Sequence, residues 1–308
     1  MGFTSGGKVL ADIVDEIADA LIASSANWVE GDSTWDTTDR TGNNARRCLK
    51  YTGDADDIWM TLEACNSSNQ VWHDGTYWNY AKGLRTTFCA SWDAVNHTHP
   101  SGALSLSSTM VTYELRRNGA INADIATQIL TYFLWVDPSG FALMAKPEPN
   151  STDDRQASFI HVVEHFAAKE YSDGMTNFFC FTELNYDWYG TGGTTGYQLY
   201  HTVRPFAFRS QNSALYGILF WKEDTNSRYA LKSTGNGKVY FVKPIYCNST
   251  DGFTPIAQSE LFWQFPEQSG LVDGDVIAID GATTKYICKT LDSPDSTGRI
   301  NYAIKYVA

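Results

Sequence analysis

Residues 131–148 read TYFLWVDPSGFALMAKPE. Two apolar runs flank Asp137-Pro138-Ser139-Gly140, with Pro at the first central position and Gly at the last, the residue preference of a type I turn. A β-hairpin is expected here. Its apolar residues follow one another instead of alternating with polar ones, so both faces of the hairpin need cover. That cover has to come from elsewhere in the chain.

One source lies near the N-terminus. In KVLADIVDEIADALIASS (8–25), Leu10, Ile13, Val14, Ile17, Leu21 and Ile22 recur at spacings of three and four, and Asp12, Asp15, Glu16 and Asp19 take the other side. The spacing predicts an amphipathic helix, and a sheet is the most economical surface for it to cover. A second helix is expected over NADIATQIL (122–130), with Asn122 as cap and Ile125, Ile129 and Leu130 on one side.

The rest of the chain has the texture of strands and turns. Strand candidates are ARRCLKYTG (45–53), DIWMTLEAC (57–65), LRTTFCASW (84–92), STMVTYELRR (108–117), YQLYHTVRPFAFRS (197–210), YGILFWKED (216–224), RYALKS (228–233) and GKVYFVKPIYC (237–247). STGNGK (233–238) is a hairpin turn signal. The ending DGDVIAIDGATTKYICKTLDSPDSTGRINYAIKYVA (273–308) reads as a three-stranded meander. The fold class is accordingly α+β, mostly β: an N-terminal amphipathic helix packed on antiparallel sheet, then a second β-rich lobe ending in a meander. The polar, Pro-containing stretch KPEPNSTDDRQAS (146–158) suggests a division into an α+β lobe, 1–148, and a β-rich lobe, 149–308.

Composition narrows the function. The chain has 308 residues, 43% hydrophobic and 14% aromatic, with 10 Trp, 17 Tyr and 16 Phe; only 19% are charged. Aromatics in such number suit sheets and protein contacts. The net charge of −12 opposes binding to a phosphate backbone, and no basic run exceeds Arg46-Arg47 or Arg116-Arg117. Neither nucleic acid nor membrane is an expected partner: no stretch supplies the roughly 20 apolar residues of a membrane span. The acidic N-terminal region does not resemble a signal peptide, and synthesis in a cytoplasm is expected. Cys48, Cys65, Cys89, Cys180, Cys247 and Cys288 form no CxxC pair and read as buried free thiols. The Asn-x-Ser/Thr triplets at Asn66, Asn96, Asn150 and Asn248 read as chance matches.

HVVEH (161–165) has the order of the inverted zinc peptidases, in which two histidines hold the metal and a glutamate activates water. Those roles need a helix, where His161, Glu164 and His165 would cluster. Ile160, Val162 and Val163 favour a strand instead. The third ligand also lacks a candidate, since Glu183, Glu223, Glu260 and Glu267 lie in strand-like or loop contexts. His97-x-His99 lies in the turn NHTHPSG with no acidic or Cys partner expected nearby, so a surface loop is expected. Asp54, Asp56 and Asp57 alternate as in a calcium loop but lack its Gly and closing Glu, so a turn is expected. GTGGTTG (190–196) lacks the Gly-Lys-Ser/Thr ending of a phosphate loop and reads as a surface loop. Trp92-Asp93 and Asp187-Trp188 set acids beside aromatics, as sugar clefts do, but a catalytic carboxylate pair is defined by its separation in space. The residues therefore nominate no catalytic group, no metal ligand and no cofactor.

The segment TYFLWVDPSGFALMAKPEPNSTDDRQASFIHVVEHF (131–166) resembles one found in structural proteins of tailed bacteriophages, where an aromatic-rich strand pair leads into a variable loop. The opening helix with ANWVEGDST (26–34) is similar to the N-terminus of those proteins, and the final meander to their C-terminus. Ser139-Gly140-Phe141 stands where those proteins carry arginines. The resemblance implies a non-enzymatic virion subunit of the tail, neck, baseplate or capsid surface, forming homo-oligomers and touching other virion proteins. It transfers no catalytic residue. The alternative is a carbohydrate-binding or host-receptor adhesin, with Trp72, Tyr77, Trp78 and Trp188 stacking on glycan and VWHDGTYWNY (71–80) as its patch.

Overall fold

A computed structural model describes residues 2–36, 45–53, 57–65, 72–73, 80–100, 105–114, 129–138, 140–147, 158–164, 175–189, 195–207, 216–218, 241, 245–248, 254–258, 261–265, 269–279, 283–291 and 300–306. In chain order the elements begin with β1 (Gly2–Lys8), α1 (Leu10–Ser24), β2 (Trp28–Glu30), β3 (Arg46–Tyr51), β4 (Ile58–Cys65), β5 (Trp72–His73) and β6 (Tyr80–Cys89). They continue with β7 (Ser105–Glu114), β8 (Leu130–Asp137), β9 (Gly140–Pro147), β10 (Ser158–Glu164), β11 (Met175–Tyr189) and β12 (Thr195–Ala207). The last are β13 (Tyr216–Ile218), β14 (Ile245–Asn248), β15 (Thr254–Gln258), β16 (Phe262–Gln264), β17 (Val276–Ala278), β18 (Lys285–Leu291) and β19 (Ile300–Tyr306). The described protein is a mostly-β α+β fold in which every strand pairing is antiparallel.

Four sheets hold these strands. One runs β1-β8-β9-β10-β11-β12; a second runs β2-β3-β4-β6-β5, with β7 also paired to β6; a third is β13-β14-β15; the fourth runs β16-β19-β18-β17. The 131–148 hairpin is β8 and β9, with Asp137 opposite Gly140. Gly140 has φ +143°, a conformation that favours glycine. The C-terminal meander is β17-β18-β19, joined by β16 along the outer side of β19. β9 and β10 pair directly, with Ala145 opposite Ser158, so the division at 148/149 falls between neighbouring strands of one sheet.

The strict alternation of burial partners explains the apolar run in the hairpin. Leu130, Tyr132, Leu134 and Val136 of β8, with Phe141, Leu143 and Ala145 of β9, belong to the main core. That core also contains Leu10, Ile13, Val14, Ile17 and Leu21 of α1, together with Leu49, Met60, Leu62 and Phe88 of the second sheet. The intervening residues turn the other way. Phe133 carries the ammonium of Lys289 (β18) 3.6 Å above its ring centre, and Trp135 carries that of Lys305 (β19) at 4.8 Å. Phe3 of β1 meets Tyr306 edge-on, with centroids 4.9 Å apart. The hairpin thus has the main core on one face and the C-terminal sheet on the other.

Sequence missed β1. Gly, Ser and Thr give GFTSGGK little strand propensity, and its order comes from pairing all seven residues with β8. The acidic side of α1 was legible, but not its use: Asp15 is buried and Glu16 half-buried, because both face cations. Of the helix expected over 122–130, Leu130 is instead the first residue of β8, and 121–128 lie outside the described residues.

Candidate functional site

Among the described residues, a dense concentration of ionisable groups forms a seam where α1, the turn after β2, β3 and the loop after β6 meet. It starts at Gly31-Asp32-Ser33-Thr34-Trp35-Asp36. Gly31 donates its N–H to Cys48 O at 2.8 Å, and a Cβ there would lie 2.9 Å from the Leu49 carbonyl carbon, so the close approach requires glycine.

Asp32 then turns its carboxylate inward. Oδ1 accepts from Thr34 N at 3.1 Å, Thr34 Oγ1 at 2.7 Å and Trp35 N at 3.1 Å. Oδ2 accepts from Trp92 Nε1 at 2.7 Å and faces His97 Nδ1 at 2.9 Å. Burial alone would raise this carboxyl's pKa, but the bonds from Trp92, His97 and Thr34 outweigh it and hold the group well below the usual carboxylate range. An ionised Asp32 is an acceptor only, so the His97 Nδ1 that faces it carries a proton.

His97 sits in a tight loop closed by paired Asp93 and Thr98 backbones, and its φ of +54° is unusual for a non-glycine residue. Asp93 Oδ1 accepts from Val95 N and Asn96 N, and Oδ2 from Asn96 Nδ2. The expectation that His97 has no acidic neighbour is therefore corrected. Its acid comes from position 32, which no local spacing reveals.

Four residues further along, Asp36 accepts from Cys48 N at 2.8 Å and lies 3.3 Å from Arg47 Nε. Burial, with Glu30 bonded beside it, pushes this carboxyl up to about 8. Arg47 serves four acids at once: Asp15 at 3.4 Å, Asp19 at 2.9 Å, Glu30 at 3.0 Å and Asp36. Burial disfavours its charge, yet Asp19 and Glu30 hold the guanidinium protonated beyond its ordinary range. Arg46 donates to Trp35 O at 2.6 Å and stacks 4.8 Å over the Trp35 ring, which meets Trp92 edge-on at 5.2 Å.

Chemically this is a fastener. Asp32 accepts five hydrogen bonds, more than its role as a reacting base would leave room for, and Arg47 is spent on four acidic side chains. Among the described residues no hydroxyl or thiol bonds to the other ring nitrogen of His97, as a nucleophile paired with a general base would. No group of three or more His, Cys, Asp or Glu suited to a metal occurs among the described residues.

The other sequence candidates fall elsewhere. His161 and Glu164 lie in β10, a strand paired on both sides, so the helix that the peptidase arrangement needs is not formed; His165 lies outside the described residues. Asp57 pairs with Lys50 at 2.5 Å, and Asp54 and Asp56 lie outside the described residues. The end of GTGGTTG is not loop but the start of β12, at Thr195-Gly196; 190–194 lie outside. Trp72 is in β5, and Asp187 and Trp188 are in β11, whereas Tyr77 and Trp78 lie outside the described residues. Cys48, Cys89 and Cys288 are buried free thiols, as expected. Burial pushes Cys89 and Cys288 up to about 12, and Cys48 is raised too, so these thiols are poor nucleophiles. Comparison with models of known protein families and with characterised proteins finds no match.

Proposed function

We propose that the chain is a non-enzymatic structural subunit of a tailed virus particle, assembling with copies of itself and with neighbouring virion proteins in the tail, neck, baseplate or capsid surface. The observation that carries this reading is the Asp32–Arg47 seam. Asp32, Asp36 and Arg47 are spent on tying two turns and a helix to one sheet, as expected of a protein selected for rigidity. The resemblance of 131–166 to phage structural proteins and the aromatic-rich composition point the same way. No described helix is long and apolar enough to cross a membrane.

Density-gradient fractionation of a lysate from cells producing the corresponding particles tests the proposal. Cofractionation of the chain with intact particles, surviving a high-salt wash, is the expected result. Recovery only in particle-free fractions overturns it.

A further inference from the structure

The sheet edges differ in how they are guarded against pairing with other chains. An open edge presents unpaired N–H and C=O groups, and proteins protect such edges with Pro, charges, short strands or cover. Among the described strands, β2, β13, β16 and β17 have three residues each and β5 two. β12 contains Arg204 and Pro205, and β15 contains Pro255. β7 lies against β10, β11 and β12.

β1 is neither short nor broken by Pro, and among the described residues its further neighbours, α1 and β19, leave Thr4 to Gly7 exposed. It is seven residues long, Gly-Phe-Thr-Ser-Gly-Gly-Lys, pairs with β8 on one side, and is exposed from Thr4 to Gly7. Its one charge is drawn away from the edge: Lys8 Nζ reaches Glu16 Oε2 at 2.9 Å and lies 5.8 Å from the Tyr132 ring centre. The chemistry that satisfies such an edge is another extended backbone.

From this edge we infer that β1 is a self-pairing surface, on which β1 of a second copy adds antiparallel and joins two six-stranded sheets into one. Charge permits a second copy at this edge. Each chain carries −12, which opposes approach of two copies over most of the surface, yet residues 1–11 contain one Lys and no acid. A two-fold axis through Ser5 sets Lys8 of each copy opposite Gly2 of the other, so no like charges meet. A seven-residue ribbon covers less than the roughly 1,200 Å² of a standard stable interface, so the pairing depends on concentration and on neighbouring contacts. The inference rests on the subunit reading and names the surface it uses.

Ser5 is exposed and lies at the centre of this pairing, so charge there disturbs the contact and spares the fold. Sedimentation velocity over a micromolar concentration series is the test, with circular dichroism confirming that each variant is folded. Wild type is expected to dimerise reversibly. Ser5→Lys and Ser5→Glu each place like charges across the axis and shift the midpoint about fivefold or more to higher concentration. An equimolar mixture of the two variants regains dimers. Oligomers insensitive to either variant would overturn the β1 pairing while leaving the subunit reading intact. A wild type that stays monomeric throughout would overturn the β1 pairing, and the subunit reading would then be decided by the particle fractionation.

Discussion

Asp32 Oδ2 faces His97 Nδ1 at 2.9 Å, joining residues 65 positions apart in the chain. The same carboxylate binds the Trp92 indole, so one buried acid fixes the turn after β2 and the loop after β6 together. Asp32→Ala leaves the Trp92 and Thr34 donors and the Trp35 amide without their acceptor. The expected loss is about 3 kcal/mol, the scale of hydrogen bonds to a buried charge, measured by urea denaturation at neutral pH. Asp32→Asn is expected to lose less, because its amide oxygen still accepts.

The depressed pKa of Asp32 fixes a pH dependence. In the unfolded chain an aspartate takes up its proton near pH 4, whereas in the fold this one stays ionised to lower pH. Its contribution is therefore present above the unfolded value and lost as pH falls below it. Acid titration of stability should show a decline below about pH 4 that is shallower in Asp32→Asn.

Asp36 behaves oppositely. Its carboxyl keeps a proton up to about pH 8 in the fold, whereas the unfolded group ionises from about pH 4. Folding thus loses stability from this group as pH rises through that window. Asp36→Asn cannot ionise, so urea midpoints at pH 5, 7 and 9 are expected to fall less in the variant than in wild type. Equal slopes would show that Asp36 is ionised in the fold.

Core and surface apolar residues should separate cleanly. Leu134, 1% exposed, packs in the main core, and its truncation to Ala is expected to cost about 2–5 kcal/mol. Val95, 86% exposed at the tip of the His97 loop, should change stability by less than about 0.5 kcal/mol on the same truncation. Thermal or chemical denaturation of the two variants side by side checks both.

Much of this fold could be read from sequence where a pattern is local. The apolar hairpin, the amphipathic helix and the final meander declare themselves through turn residues and periodicity within a few positions. β1 could not be read that way, because its Gly- and Ser-rich strand exists through pairing with β8, far along the chain. The seam was hidden for the same reason. Asp32 and His97 each look unremarkable locally, and only the sheet that carries both turns brings them together. HVVEH shows the reverse: a suggestive local pattern whose β-branched residues place it in a strand.

The most direct test of the account is native mass spectrometry of the purified chain from low to high micromolar concentration, combined with electron microscopy of the same samples. The structural-subunit proposal expects discrete, closed oligomers that grow in population with concentration. A chain that remains monomeric at every concentration, and that turns over a substrate through His97 with activity lost in His97→Ala, would contradict it.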